Sequence, residues 1–267
     1  MPQFTYLWTL VLVAIAIFLV GFYKNVVCRI AYVFWVNSPA YGGDSFSNNR
    51  ARLPRPNLRT IINEALLQKP IRNRSFFLWI RHLLIFFGFA ALFVFDQATF
   101  ILGKLGHTFL HIEYFSSGPG RAFIKVGLEA SGAVLFLGLT LALVHRLGYA
   151  EQERKCVDLS LIVLFWVVVL SGFLTEAFRL TAEPSDPFLR YSFLAGPLAR
   201  GLSELHWAWE SITRWTWIAH VTSVLAFFAY LPYSKLVHIF AAPVGRSATM
   251  GQDTTLLKIE KVSEAWF

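Results

Sequence analysis

Two histidines share one apolar run, "WIAHVTSVLAFFAYLPYSKLVHIF", residues 217–240. Imidazole is a side chain that can hold a metal or carry a proton near neutral pH. His220 and His238 stand eighteen residues apart. An α-helix turns every ~3.6 residues and rises ~1.5 Å per residue, so this spacing is about five turns and about 27 Å along one face. Pro232 lies between them and bends the helix. Neutral imidazole is a good iron ligand, and an iron porphyrin is an apolar plate that suits the core of a helix bundle. A porphyrin held by two histidines needs the second one on another helix at the same depth. His82, in "WIRHLLIFFGFAALF", meets that need for His238. Gly88, about two turns further on, leaves room for a flat macrocycle to approach the backbone. A single histidine at a membrane boundary is more often a plain interfacial residue, and that reading stays open for His220.

The elements that must carry these side chains are membrane helices. The chain has 267 residues, 56% of them apolar and 16% aromatic, with only 15% charged. A soluble domain carries about 25% charge. Residues 4–23, 159–175 and 215–233 contain no charge at all. Residues 76–95 contain only Arg81, and residues 126–144 only Glu129. A helix needs roughly 20 mostly apolar residues to cross the hydrocarbon, and backbone polar groups in lipid force such a segment to be helical. The expected fold is an all-α integral membrane protein, a bundle of five transmembrane helices at about residues 4–23, 76–95, 126–147, 159–178 and 215–240. The first run is too long for a signal-peptide core and lacks its flanking signals, so it reads as a retained helix. Residues 1–243 form the expected membrane domain and residues 244–267 a cytoplasmic tail.

Charge sets the orientation. After the first helix come Lys24, Arg29, Arg50, Arg52, Arg55, Arg59, Lys69, Arg72 and Arg74, against Asp44 and Glu64. Arg146, Arg154 and Lys155 follow the third helix, and Lys235, Arg246, Lys258 and Lys261 follow the fifth. Between helices four and five, four arginines are balanced by Glu183, Asp186, Glu204 and Glu210. Positive loops stay in the cytoplasm. The N-terminus is therefore expected outside and the C-terminus inside, in the cytoplasmic membrane of a prokaryote. The net charge of +8 is a topology signal, and nucleic acid is not an expected partner. Trp207, Trp209, Trp215 and Trp217 crowd the outer start of the fifth helix, where an aromatic belt anchors a span. The basic, proline-broken stretch "RARLPRP", residues 50–56, suits anionic lipid heads or a partner subunit. Cys28 and Cys156 are the two cysteines, both on the expected cytoplasmic side, so a disulfide is not expected. Two thiolates also fall short of an iron–sulfur cluster. The sequence carries no Gly-rich phosphate loop and no C-x-x-C-H haem attachment motif.

"LPYSKLVHIF", with a histidine eighteen residues upstream, resembles the last helix of the cytochrome b (gamma) subunit of respiratory nitrate reductases. It resembles still more the membrane cytochrome b of heterodisulfide-reductase-like quinone oxidoreductases. "RHLLIFFGFAALF", "GLEASGAVLFLGLTLAL" and "LSGFLTEAFRL" are similar to helices two, three and four of that group. The resemblance implies five helices holding haem b between helices two and five. It implies exchange of electrons between membrane quinone (menaquinone or ubiquinone) and a cytoplasmic iron–sulfur partner of heterodisulfide-reductase-like type. Carried over, His82 and His238 match the pair that binds the haem nearer the cytoplasm, and His220 matches the helix-five ligand of the outer haem. The family pattern places the partner of His220 ten residues after His82. That position is Leu92. Either one haem is bound, or another histidine closes the outer site.

His107 and His111, one turn apart in "HTFLH", and His206, in "ELHWAWE", are the outer-side candidates. The first two would share a face, which a surface helix lying on the membrane would also show. His145 falls near the cytoplasmic end of helix three and is a poor partner. Quinone chemistry moves two electrons and two protons, so a proton-exchanging group is expected near the outer haem. Glu176 and Arg179 at the end of helix four are the leading pair, since burial at the edge of an apolar span would raise a carboxyl pKa. They are also three apart and could simply pair with each other. Asp96 and Glu129 are further candidates.

Two classes of function therefore compete. One is a quinone-reactive haem b subunit of a multi-subunit oxidoreductase, which reaches its soluble chemistry through a docked partner. The other is a haem-free membrane anchor or small transporter whose histidines are structural or relay protons.

Overall fold

The computed structural model describes residues 2–28, 31, 72–73, 75–111, 113–148 and 159–234. His238, Cys156, the 50–56 stretch and the 244–267 tail lie outside the described residues. Among those described, all regular structure is helical and there is no strand. Among the described residues, four helical runs are long and apolar enough to cross a membrane: Tyr6–Val27, Phe76–Leu110, Pro119–Gly148 and Leu159–Ala182. The chain divides into two compact units. The first joins residues 1–74, 150–158 and 225–267, and the second joins residues 75–149 and 159–224.

In the first unit, helix α1 (Pro2–Phe22) runs into a π-helical turn, Tyr23–Val27. It meets the 3-10 turn Leu231–Tyr233. The Tyr233 hydroxyl donates to the Ile17 carbonyl at 3.2 Å. A Cβ on Gly21 would come within 2.6 Å of the Tyr233 ring, so only glycine admits this contact.

The second unit contains α2 (Phe76–Ala98), a π-helical stretch (Thr99–Leu105), the short α3 (Gly106–Leu110), α4 (Pro119–Gly148), α5 (Leu159–Ala182) and α6 (Ala195–Leu202). It also holds most of α7 (Trp209–Tyr230). Ser75 starts α2, its extended backbone (φ −162°) letting the side chain accept from the Leu78 N–H at 3.4 Å. Helices α2 and α4 run antiparallel in the most extensive contact of the unit. Small residues make it possible, as is usual where lipid gives no hydrophobic push between helices. A Cβ on Gly88 would stand 2.7 Å from the Leu135 backbone nitrogen. One on Gly138 would stand 2.9 Å from Ile85, and one on Gly127 2.3 Å from the Phe95 ring. Helix α6 packs on the end of α5 through Ala177, Leu180, Ala195 and Ala199.

The structure moves several boundaries: α4 starts at Pro119, seven residues before the expected 126, and α5 runs to Ala182 instead of 178. The second span, expected to end at residue 95, continues to Leu110. Asp96 does not stop it, because its carboxylate accepts from the Gln97 amide at 3.2 Å and Phe100, Ile101 and Leu102 resume an apolar run. α7 starts at Trp209, six residues before the expected 215, and the Trp209 indole N–H caps back to the Leu205 carbonyl at 2.9 Å. At its other end the α-helix stops at Tyr230, and Ser234 has turned to extended backbone (φ −95°, ψ 168°). Pro232 therefore ends the α-helix instead of merely bending it, since it lacks an N–H and its ring crowds the carbonyl four residues back. The five-turn registry between His220 and His238 does not run along one unbroken helix.

The glycine contacts carry a direct test. Gly88→Leu is expected to destabilise the protein by about 1–3 kcal/mol or more, the usual cost of overpacking. Gly201→Ala in α6, with open space around its Cβ position, should stay within about 0.5 kcal/mol. Thermal unfolding of both variants in the same detergent separates the two outcomes.

Candidate functional site

His220 is half-buried on α7 and faces α5. Its Nδ1 lies 2.9 Å from Ser171 Oγ, and a Cβ on Gly172 would be 3.2 Å from its Cε1. The same serine hydroxyl is 3.0 Å from the Val168 carbonyl, an atom that can only accept. A hydroxyl has one proton. With its proton directed at Val168, Ser171 would accept from Nδ1–H, the tautomer that leaves the Nε2 lone pair available for a metal. Such outer partners commonly orient metal-binding imidazoles.

The helix contacts show what stands level with that ring. Gly88 against Leu135 and Phe95 against Gly127 bracket Leu92, which sets it at about the height of Ser131 on α4. Gly132 packs on Phe173, the neighbour of Gly172. Gly132, Gly172 and His220 thus lie close in height along the bundle, with Leu92 near the same level on α2. A leucine has no lone pair to give. Asp96, one turn further along α2, lies within electrostatic reach of His220.

His82 is half-buried about 15 Å away along α2 from Leu92, ten residues at ~1.5 Å each. Its ring lies nearly parallel to Phe86 at 6.4 Å. The expected partner, His238, falls outside the described residues. Gly88 is taken up by packing: the space beside it holds the Leu135 backbone, so the macrocycle approach expected there meets a helix. His145 stacks on Phe77 at 5.7 Å, at the end of the unit opposite His220. His107 on α3, His111 and His206 are all exposed. His111 caps α3 in the left-handed region (φ 52°), its N–H bonding the His107 carbonyl at 3.2 Å. The expected shared face of His107 and His111 is lost, because that backbone turn takes His111 off the helical row.

Glu176 and Arg179 are brought together, within a larger network. Arg179 Nε and Nη2 each stand 2.9 Å from a Glu176 oxygen. The same guanidinium reaches Asp186 at 2.8 Å and Glu183 at 2.9 Å. Lys125 of α4 adds a second cation on Glu176 at 2.9 Å and lies 3.9 Å from Asp186. Glu176 is therefore not the lone desolvated acid expected from its place at the edge of an apolar span, since cations hold both of its oxygens. Lys125 was invisible as a partner because its link to Glu176 spans two helices. The Ser171–Gly172 pair did leave a trace, as two small residues inside an apolar helix.

With this geometry in view, the comparisons with known proteins fall into place. The chain matches the nitrate reductase gamma subunit family over residues 83–249, more than half its length. That match contains His220 and His238 and begins one residue after His82. The chain belongs to the nitrate reductase gamma subunit family. It is 32% identical over 200 residues to a subunit of the dihydromethanophenazine:CoB–CoM heterodisulfide reductase of Methanosarcina thermophila, covering 74% of this chain and 68% of that one. The corresponding protein from Methanosarcina barkeri is 28% identical over 196 residues, covering 73% and 67%. That of Methanosarcina mazei is 24% identical over 199 residues, covering 74% and 69%. No solved structure matches the chain. Family membership and the apolar helices make this a multi-pass membrane protein, consistent with a membrane electron-transfer subunit.

Asp186 lies beyond the end of α5 and offers a pH test of the network. Burial pushes its carboxyl up, but the Phe188 N–H, the Arg179 guanidinium and the Lys125 charge outweigh this and hold it below the usual carboxylate range. A depressed folded value means the stabilisation is present above the unfolded carboxyl pKa of about 4 and fades as pH falls through the folded one. Asp186→Asn should cost about 1–3 kcal/mol near neutral pH. It should also flatten the loss of stability below about pH 4, as read by unfolding temperature across a pH series.

Proposed function

We propose that this chain is a b-type cytochrome. As a membrane subunit, it passes electrons between a quinone, menaquinone or ubiquinone, and a cytoplasmic iron–sulfur subunit of heterodisulfide-reductase-like type. The family match, which takes in both α7-region histidines, carries the reading. The heterodisulfide reductase relatives carry dihydromethanophenazine in their name, and a quinone takes its place for this chain.

His82 and His238 hold the haem nearer the cytoplasm. Bound there, haem supplies a one-electron carrier next to the basic face where a partner docks. The proposed topology has five spans in a prokaryotic cytoplasmic membrane, N-terminus outside and C-terminus inside, with α7 as the fifth. Its Thr216, Thr222 and Ser223 hydroxyls bond carbonyls four residues back at 2.8–2.9 Å, so they demand nothing from lipid. Glu176 and Arg179 form the charged rim of the outer quinone region, their charges spent on each other. The 244–267 tail and the 50–56 stretch extend the docking face, and nucleic acid has no part. A haem-free anchor or transporter is the competing class.

A reduced-minus-oxidised optical spectrum of the purified protein decides between them. The expected result is a b-type α-band, lost or halved in His238→Ala and His82→Ala. Absence of any b-type band in the wild type sinks the proposal.

The Ser171–His220 hydrogen bond favours a second reading, in which His220 Nε2 holds an outer haem completed by His107, His111 or His206. Redox titration should then show two transitions, one of them removed by His220→Ala. Ser171→Ala should raise the midpoint potential of that same transition, because the imidazole loses the bond that increases its basicity. A single wild-type transition that His220→Ala leaves intact gives His220 a structural role only.

A further inference from the structure

Glu129 sits on α4 among the membrane-spanning residues, 5% exposed. One of its oxygens, Oε2, accepts the Leu194 backbone N–H at 2.7 Å. Among the described residues the other, Oε1, is buried and meets no hydrogen-bond donor. A half-satisfied carboxylate inside a membrane helix is expensive, and such residues are functional by default. The Leu194 N–H needs an acceptor but not a charge, since a glutamine carbonyl would serve it equally.

The charged groups nearby are committed elsewhere. Lys125, one turn before Glu129, is engaged with Glu176 and Asp186. Arg179 binds Glu176, Glu183 and Asp186. A proton arriving on Glu176 would have to displace two cations, whereas a proton arriving on Glu129 Oε1 displaces nothing. The carboxyl is also one hydrogen bond from the surface of the unit. Its tether, Leu194, is 42% exposed and Phe193 before it is 48% exposed. Ser192 Oγ, two residues before the tether, is likewise buried without a partner among the described residues.

We infer that Glu129, and not Glu176, exchanges protons with the quinone, its Oε1 accepting the hydroxyl of a hydroquinone at the outer end of the bundle. This inference rests on the proposed function. When a hydroquinone O–H bond breaks, the proton would bond to Oε1, and a haem held by the proposed histidines would be the one-electron acceptor. Two such transfers, with the first electron passed on to the iron–sulfur partner before the second arrives, would convert hydroquinone to quinone, and each proton would leave Glu129 toward the Phe193–Leu194 surface. Quinone reduction runs the same steps backward. The Leu194 tether keeps the carboxyl pointing one way while Oε1 changes state.

The test uses membranes containing the complete complex, with a short-chain menaquinol or ubiquinol as the probe. Glu129→Gln keeps an acceptor for Leu194 but cannot take up the proton. It should slow quinol-driven haem reduction by roughly 10²-fold, within the range for losing a general base. Haem content and unfolding temperature should be unchanged. Redox-difference infrared spectra should also lose a protonated-carboxyl C=O band present in the wild type. Should Glu129→Gln fail to assemble, Glu129→Asp takes its place, with a shifted band and an intermediate rate expected. Wild-type rates together with an unshifted carboxyl band in the assembled variant overturn the inference. Absence of quinol-driven haem reduction in the wild type overturns the proposed function instead, and this inference with it.

Discussion

The contact of α2 with α4 through Gly88, Gly127 and Gly138 is the constraint on which the second unit depends. In lipid there is no hydrophobic force to bring two helices together, so association relies on close van der Waals packing. Three missing side chains let the backbones approach to a distance that any Cβ would forbid. That approach also fixes the axial stagger. With Gly88 locked on Leu135 and Gly127 on Phe95, every residue of α2 between them has an assigned level on α4. The level of Leu92 near that of His220 and the height of Glu129 both follow from those contacts.

Charge is handled in two contrasting ways at one end of that frame. Lys125, Glu176, Arg179, Glu183 and Asp186 gather into a mutually compensating network, where each desolvated group is offset by an opposite one. Glu129, one turn along α4 from Lys125, receives a single backbone N–H. The two acids lie close in sequence character and far apart in electrostatic circumstance. A network of this kind ties α4 to α5 and to the segment that follows it.

Much of the fold was legible in the sequence. Charge-free runs marked the spans because lipid imposes length and apolarity on any helix that crosses it. The boundaries were less legible. Asp96 looked like an end, yet its carboxylate is satisfied by Gln97 and the helix passes through. Pro232 looked like a bend, yet the α-helix ends before it. At the site, helical spacing related His220 to His238, and the family resemblance alone singled out Leu92. Neither could show that Ser171 binds His220, that Lys125 reaches Glu176, or that Leu135 fills the space beside Gly88. Those depend on which helices become neighbours, and neighbour choice is a property of the packed bundle. The left-handed backbone at His111 is similarly a tertiary outcome, tolerated by histidine better than by most residues.

The π-helical stretch Thr99–Leu105 alters how this chain can be compared with its kin. Hydrogen bonds from i to i+5 open the coil, so each turn there accommodates more residues than an α-turn does. Side chains beyond the stretch are out of angular phase with those before it. A count of 3.6 residues per turn carried from Leu92 to His107 accumulates that error and assigns the wrong azimuth. Aligned letters on the far side of Thr99 therefore stop standing for equivalent directions in space, although the chain remains one continuous helical rod. A histidine conserved by position there need not be conserved by direction, and one displaced by a residue or two could point where its counterpart does.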